Sequence, residues 1–338
     1  MNILFDINHP VDVNFFKNAI LKLKLEGHTI FIIFRSRGNL EKILTYELDQ
    51  FSITKIGTHK GGFLKKITSQ LYRDYKIIPF IRKNKIDLTV CFGATAAISS
   101  WICGIPYLAF DDDFEYKIPF YHANWFSTRH IFPDFIEFTN SKTHKYHGFK
   151  ELAYLHHEHL NVNKKILTEY SLLEDEYVFI REIASISLNY KDEGSILSEI
   201  VDKIKKKGLK IVLSIEDKSI FNKFKDDCII LEEPVSDIYS LMYHSILAIS
   251  SGDTVARETA LLGVPTIYTG GREMVVNKAL VKAGLMHETN KMKEIDDLIE
   301  KSSINRKKES KSKALNLIET KWEDTTSVIQ KHIRDFLK

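Results

Sequence analysis

Cysteine is scarce in this chain. Three occur in 338 residues, Cys91, Cys103 and Cys228, and their spacing matches no metal-ligand or redox pattern. No apolar run reaches the roughly 18 residues of a membrane-crossing helix. The opening MNILFDINHP lacks the basic start and long apolar stretch of a secretory leader, so the cytoplasm is the simplest residence. The P-loop pattern G-x-x-x-x-G-K-[ST] is absent, and neither half carries G-x-G-x-x-G after its first strand. A Rossmann dehydrogenase is therefore a poor fit. No repeat appears at periods of about 20 to 50 residues, and no low-complexity linker divides the chain.

With 44% hydrophobic and 28% charged residues the chain is globular, and its length suits two domains. Strand and helix signals alternate. Asn2 to Ile7 reads as a buried strand, Val13 to Glu26 as a helix closed by Gly27, and Thr29 to Phe34 as a second strand. Asp87 to Phe92, a helix from Ala96 to Cys103, and Tyr107 to Phe110 continue the pattern. Tyr177 to Arg181, Lys210 to Ile215, Cys228 to Leu231 and Ile246 to Ile249 repeat it in the second half. Such alternation predicts α/β domains with parallel sheets and helices on both faces.

The most informative stretch runs from Ser250 to Leu285. A strand stops at Ser250-Ser251-Gly252-Asp253-Thr254, and a helix follows from about Val255 to Leu262. Gly263-Val264-Pro265 ends it. A small-residue turn before a helix presents unpaired N–H groups at the positive end of the helix dipole, a place for phosphate. Glu258, one turn in, suits the hydroxyls of a ribose. Arg181 ends a strand, where its guanidinium would meet either a pyrophosphate or Glu182. Arg272 or Arg257 would add positive charge.

In the first half, His9 follows the first strand, with Asp6 and Asp12 near it. A histidine titrates close to neutrality, which suits a general base. Capping the next helix is its structural alternative, and Asp12 competes as base. Asp111-Asp112-Asp113 with Glu115 forms an acidic cluster after a strand, open to acceptor contact, to acid–base work or to a solvated turn. Charge is uneven: Lys60 to Lys85 is +7 in a chain of +3, which leaves −4 elsewhere. Its apolar interleaving fits either a face that rests on an anionic membrane or a solvated helix. Nucleic acid is not an expected partner, since no binding module accompanies the charge.

Two halves of this kind, with such a turn late in the second, resemble the GT-B glycosyltransferases. The T-x-x-x-E, G-x-P and Asn elements at Thr254, Glu258, Gly263, Pro265 and Asn277 are similar to the inverting enzymes related to the N-acetylglucosaminyltransferase of peptidoglycan precursor synthesis. His9-Pro10, Phe15-Phe16 and Gly27-His28 resemble that superfamily's opening. The layout, including Asp6-x-Asn8-His9-Pro10 and Gly148-x-Lys150-Glu151-x-Ala153-Tyr154-Leu155, is most similar to a prokaryotic glycosyltransferase-like family found among surface-polysaccharide genes. One departure is that the first loop carries Asn8-His9-Pro10-Val11-Asp12 where the superfamily usually has glycines.

The resemblance implies two Rossmann-like doubly wound domains facing a central cleft: 1–160 for the acceptor, 161–313 for the nucleotide-sugar donor, and a helical segment 314–338 packing back toward the first. It implies a donor site of Arg181, Ile238, Ser250 to Thr254, Glu258, Arg272 and Asn277. The segment Glu232 to Ile238 would contact the base, taken as uracil. Acceptor contacts would come from Asn8, Gly93 and Thr95, and chemistry from His9, Asp12, Asp111, Asp112 and Glu115. The expected activity is transfer from a nucleotide sugar to a glycan or lipid-linked acceptor, inverting, without metal or other cofactor, in the cytoplasm or peripherally on the inner face of the cell membrane. A UDP-N-acetylglucosamine 2-epimerase-like isomerase and a non-catalytic nucleotide-sugar-binding protein are the alternatives.

Overall fold

The computed structural model describes residues 1–58, 63–182, 196–232 and 235–336. Two compact units divide it, residues 1–159 with 322–338, and residues 160–321. The first unit opens with β1 (Asn2–Ile7), α1 (Pro10–Leu25), β2 (Thr29–Ser36), α2 (Leu40–Glu47) and β3 (Ser52–Thr58). Next come α3 (Phe63–Lys83), β4 (Leu88–Phe92), α4 (Ala97–Cys103), β5 (Tyr107–Phe110) and α5 (Lys117–Phe126). It closes with β6 (Arg129–Pro133), β7 (Thr143–Tyr146) and α6 (Leu152–Leu155). All seven strands are parallel, in the order β3-β2-β1-β4-β5-β6-β7.

The second unit holds α7 (Lys165–Glu169), β8 (Tyr177–Glu182), α8 (Ile196–Lys206), β9 (Lys210–Ile215), α9 (Phe221–Phe224) and β10 (Ile229–Ile230). It continues with α10 (Ile238–His244), β11 (Leu247–Ser250), α11 (Asp253–Leu261), β12 (Thr266–Tyr268) and α12 (Val275–Lys282). β13 (Met286–Glu288), α13 (Met292–Glu300) and α14 (Ile304–Thr320) complete it. Its six strands are also parallel, ordered β10-β9-β8-β11-β12-β13. Each sheet therefore has one switch point, between β1 and β4 and between β8 and β11. Open parallel sheets bind ligands at such points, outside the carboxyl ends of their strands.

Phe15 and Phe16 seat α1 on the first sheet, edge-on against Phe5, Phe92 and Phe110 at centroid distances of 5.1 to 5.9 Å. A separate cluster holds Ile77 and Ile81 of α3, Ala97 of α4 and Ala123 of α5 together with Leu4, Cys91, Tyr107 and Ala109 of the strands. These three helices therefore form one layer on the sheet.

Three boundaries move from the sequence expectation. α1 begins at Pro10 rather than Val13, because proline is favoured at the first helical position and His9 caps it. The helical segment expected from residue 314 starts earlier, at Ile304 of α14, whose Lys307 and Ala314 are buried. The return to the first unit begins at Trp322, after α14, rather than at residue 314. There α15 (Thr325–Arg334) packs on α1, with Gln330 Nε2 donating to Glu26 Oε1 at 3.2 Å.

Candidate functional site

In the first unit the polar cluster lies at the switch point. Asp6, fully buried on β1, pairs with both terminal nitrogens of Arg73, likewise fully buried. Thr95 Oγ1 donates to Asp6 Oδ2 at 2.7 Å, and Asn8 Nδ2 donates to Thr95 Oγ1 at 2.7 Å. Asn8 Oδ1 is buried without a hydrogen-bond partner, an acceptor left open to a ligand. Gly93 holds φ +89°, which requires glycine, but its N–H bonds Phe110 and its carbonyl accepts from Tyr107. Asn8 and Thr95 are thus brought together, while the backbone of Gly93 serves the fold. Arg73 is a correction: a residue counted in the exposed basic face is a buried counter-ion. Lys60, Gly61 and Gly62 lie outside the described residues.

His9 and Asp12 form a reciprocal cap. His9 Nδ1 accepts from Val11 N at 3.3 Å, and Asp12 Oδ2 accepts from the N–H groups of Asn8 and His9, each at 2.9 Å. His9 is lowered to about 4 by desolvation and then by the charges of Arg37 and Lys150. The ring is neutral at pH 7 with its proton on Nε2, so its outer nitrogen donates. As a helix cap with a lowered pKa, His9 is a weaker base than its place after the first strand suggests. Asp12 moves the other way, raised by burial to about 7 despite its two backbone hydrogen bonds and Lys150.

Lys150 was not among the expected site residues, although it stands in the Gly148-x-Lys150-Glu151 sequence. It is buried, 2.8 Å from Asp112 Oδ2 and over the Phe92 ring. Asp111 Oδ1 accepts from the N–H groups of Asp112 and Asp113, and its Oδ2 lies 3.6 Å from His130. The carboxylates of Asp111 and Asp112 therefore already have partners. Glu115 is exposed in the turn before α5. Among the described residues the group spaced to hold an ion is elsewhere, His156, Glu158 and Asp324, with ligand atoms within 4.8 Å of one another. Asp324 there caps α15 and accepts from His159.

In the second unit Ser250 stands beside Arg181 across β11 and β8. Ser251 N bonds Arg181 O at 3.0 Å, and Gly252 N bonds the Ser250 hydroxyl at 3.1 Å, so two of the turn's N–H groups are occupied. Gly252 caps α11 with no side-chain bond, and the first-turn N–H groups from Asp253 to Val255 have no partner within the helix. Arg181 Nη1 donates to Ser214 and Nη2 to Glu216, both at 2.6 Å. Its guanidinium thus forms an ion pair with Glu216, just beyond the neighbouring strand β9, and its charge also acts on Glu182. Asp253 gathers Tyr268, Asn277 (3.2 Å) and Arg272 (3.1 Å). Arg257 is buried and donates to Asn277 Oδ1 at 3.1 Å.

Glu258 is 5% exposed, and the Tyr239 hydroxyl reaches its Oε1 at 3.4 Å. Ile238, beside Tyr239, is the first residue of α10; Glu233 and Pro234 lie outside the described residues.

Residues 1–106 and 133–338 match the model of a family described as a protein of unknown function (DUF354). The chain belongs to that family. An uncharacterized protein of Methanocaldococcus jannaschii is 24% identical over the whole chain and 99% of its own length. Among solved structures, the UDP-GlcNAc 2-epimerase of the same organism, in complex with UDP-GlcNAc and UDP, aligns over 100% of this chain and 99% of its own, with a TM-score of 0.72 at 15% identity. MurG of Acinetobacter baumannii aligns over 99% and 100%, with a TM-score of 0.63 at 12% identity. The fold is GT-B.

Proposed function

We propose that this protein is a glycosyltransferase whose second unit binds a UDP-type nucleotide sugar and whose first unit receives a glycan or lipid-linked acceptor. The reading is carried by Glu258, a buried carboxylate in the second turn of a helix whose N-terminus has no side-chain cap. The first-turn N–H groups suit a diphosphate and the carboxylate suits ribose hydroxyls. Arg272, joined to Asp253, adds positive charge at the same end. In the first unit Asp12, with a pKa of about 7, is the base for an acceptor hydroxyl, and Asn8 Oδ1 offers that hydroxyl an acceptor. Leaving-group charge falls on the α11 N-terminus, so chelation is expected to leave turnover unchanged.

The solved 2-epimerases, at TM-scores up to 0.72, support a second reading, in which first-unit carboxylates would flank the sugar. Asp111 and Asp112 are engaged by their own turn and by Lys150, which favours transfer. Calorimetry with UDP tests the donor half: Glu258→Ala should lose about 1.5–3 kcal/mol per charge-assisted bond, and an unchanged affinity removes the assignment. Incubation with UDP-N-acetylglucosamine alone separates the two reactions. An epimer accumulating without acceptor replaces transfer by epimerisation.

A further inference from the structure

The outer side of the α3–α4–α5 layer is unusual for a water-facing surface. α3 exposes Tyr72 and Tyr75, α4 exposes Trp101, and α5 exposes Ile118, Tyr121 and Trp125. Trp101 is 65% exposed, Trp125 72% and Ile118 84%. The α5 residues recur at helical spacing on one face, as do Tyr72 and Tyr75 on α3. The inward sides of all three helices meet the sheet in a single cluster. Ser99 of α4 bonds Asp74 of α3, and Trp101 packs edge-on with Phe126 of α5 at 5.8 Å, so the exposed rings belong to adjoining helices.

Charge on this layer has one sign. Lys76, Arg82, Lys83 and Lys117 are exposed. The one acid in the three helices, Asp74, is buried. Lys76 lies 5.6 Å from the rings of both Tyr72 and Tyr75.

We propose that this face docks on an anionic lipid bilayer, with Trp101 and Trp125 entering the headgroup region and the lysines meeting lipid phosphates. Tryptophan and tyrosine favour that depth because one edge is apolar and the other polar. Lysines beside them complement the negative surface. A protein partner fits less well, since protein interfaces are depleted in lysine. The surface stands apart from the donor-site reading, although a lipid-linked acceptor would give it a purpose. It also shifts the expected membrane contact from the Lys60 to Lys85 strip alone to aromatic side chains on three helices.

The probes are vesicles of phosphatidylglycerol and of phosphatidylcholine at low and high salt. Two of the three tryptophans lie on this face and Trp322 is buried, so intrinsic emission reads docking directly. Emission should shift to the blue with phosphatidylglycerol and revert as salt rises within the range where the Debye length falls below about 10 Å. Trp101→Ser with Trp125→Ser, or Lys76→Glu with Lys117→Glu, should weaken sedimentation roughly tenfold or more. Unchanged hydrogen-exchange protection of β1 to β7 in these variants shows that the first unit still folds. No binding at low salt, or equal binding to phosphatidylcholine, overturns the proposal. So does a concentration-dependent dimer that the same substitutions abolish. Failure of wild-type protein to bind UDP, with vesicle docking intact, defeats the donor reading and leaves this one standing.

Discussion

Burial raises Asp12 to about 7, while burial with Arg37 and Lys150 lowers His9 to about 4. If Asp12 is the base, turnover should rise with pH through about 7, and Asp12→Asn should lower it by roughly 10²–10⁴ with UDP affinity intact. A rise centred near 4 instead would return the role to His9. Stability should move oppositely. Because folded Asp12 holds its proton above the unfolded value of 3.8, its contribution is full below 3.8 and is lost as pH rises to about 7. The difference is on the order of 4 kcal/mol at most. Urea unfolding of the wild type and Asp12→Asn should therefore diverge across that window, the wild type losing more as pH rises. Beside it, Arg73→Leu leaves Asp6 buried without its counter-ion and should cost about 3–5 kcal/mol; replacing Asp6 by Asn as well should restore much of that.

At the scale of the element, α11 owes its end to Gly263. That residue holds φ +74°, and a Cβ there would press on the backbone of Lys311 in α14. Gly263→Ala should destabilise by about 1–3 kcal/mol in urea. The G-x-P sequence is thus explained twice, by a left-handed turn and by a close helix that no local pattern reveals. α3 teaches the complementary lesson. Its basic composition is plain in the sequence, but composition does not distinguish Arg73, turned toward Asp6, from Lys76, three residues on and exposed.

At the scale of the molecule, the first unit is closed by residues from the far end of the chain. Trp322 packs edge-on against Phe149 at 4.8 Å, and the Thr325 and Thr326 hydroxyls donate to Phe149 O and Ala153 O. Trp322→Ala should cost the first unit about 3–5 kcal/mol. Hydrogen exchange should report that loss in β1 to β7, while UDP affinity, assigned to the second unit, stays the same.

Alternation of short apolar runs with Gly- and Pro-ended helices determined the two parallel α/β halves, because periodicity and turn chemistry are local. It also marked the strand ends at Asn8, Thr95, Asp111 and Ser250. Only the tertiary structure decided which charges there are already matched. Arg181 meets Glu216 thirty-five residues on, Asp6 meets Arg73, and Asp112 meets Lys150. Each is a pairing between separate elements, and the distance that makes it exists only once the sheet has set the strands side by side.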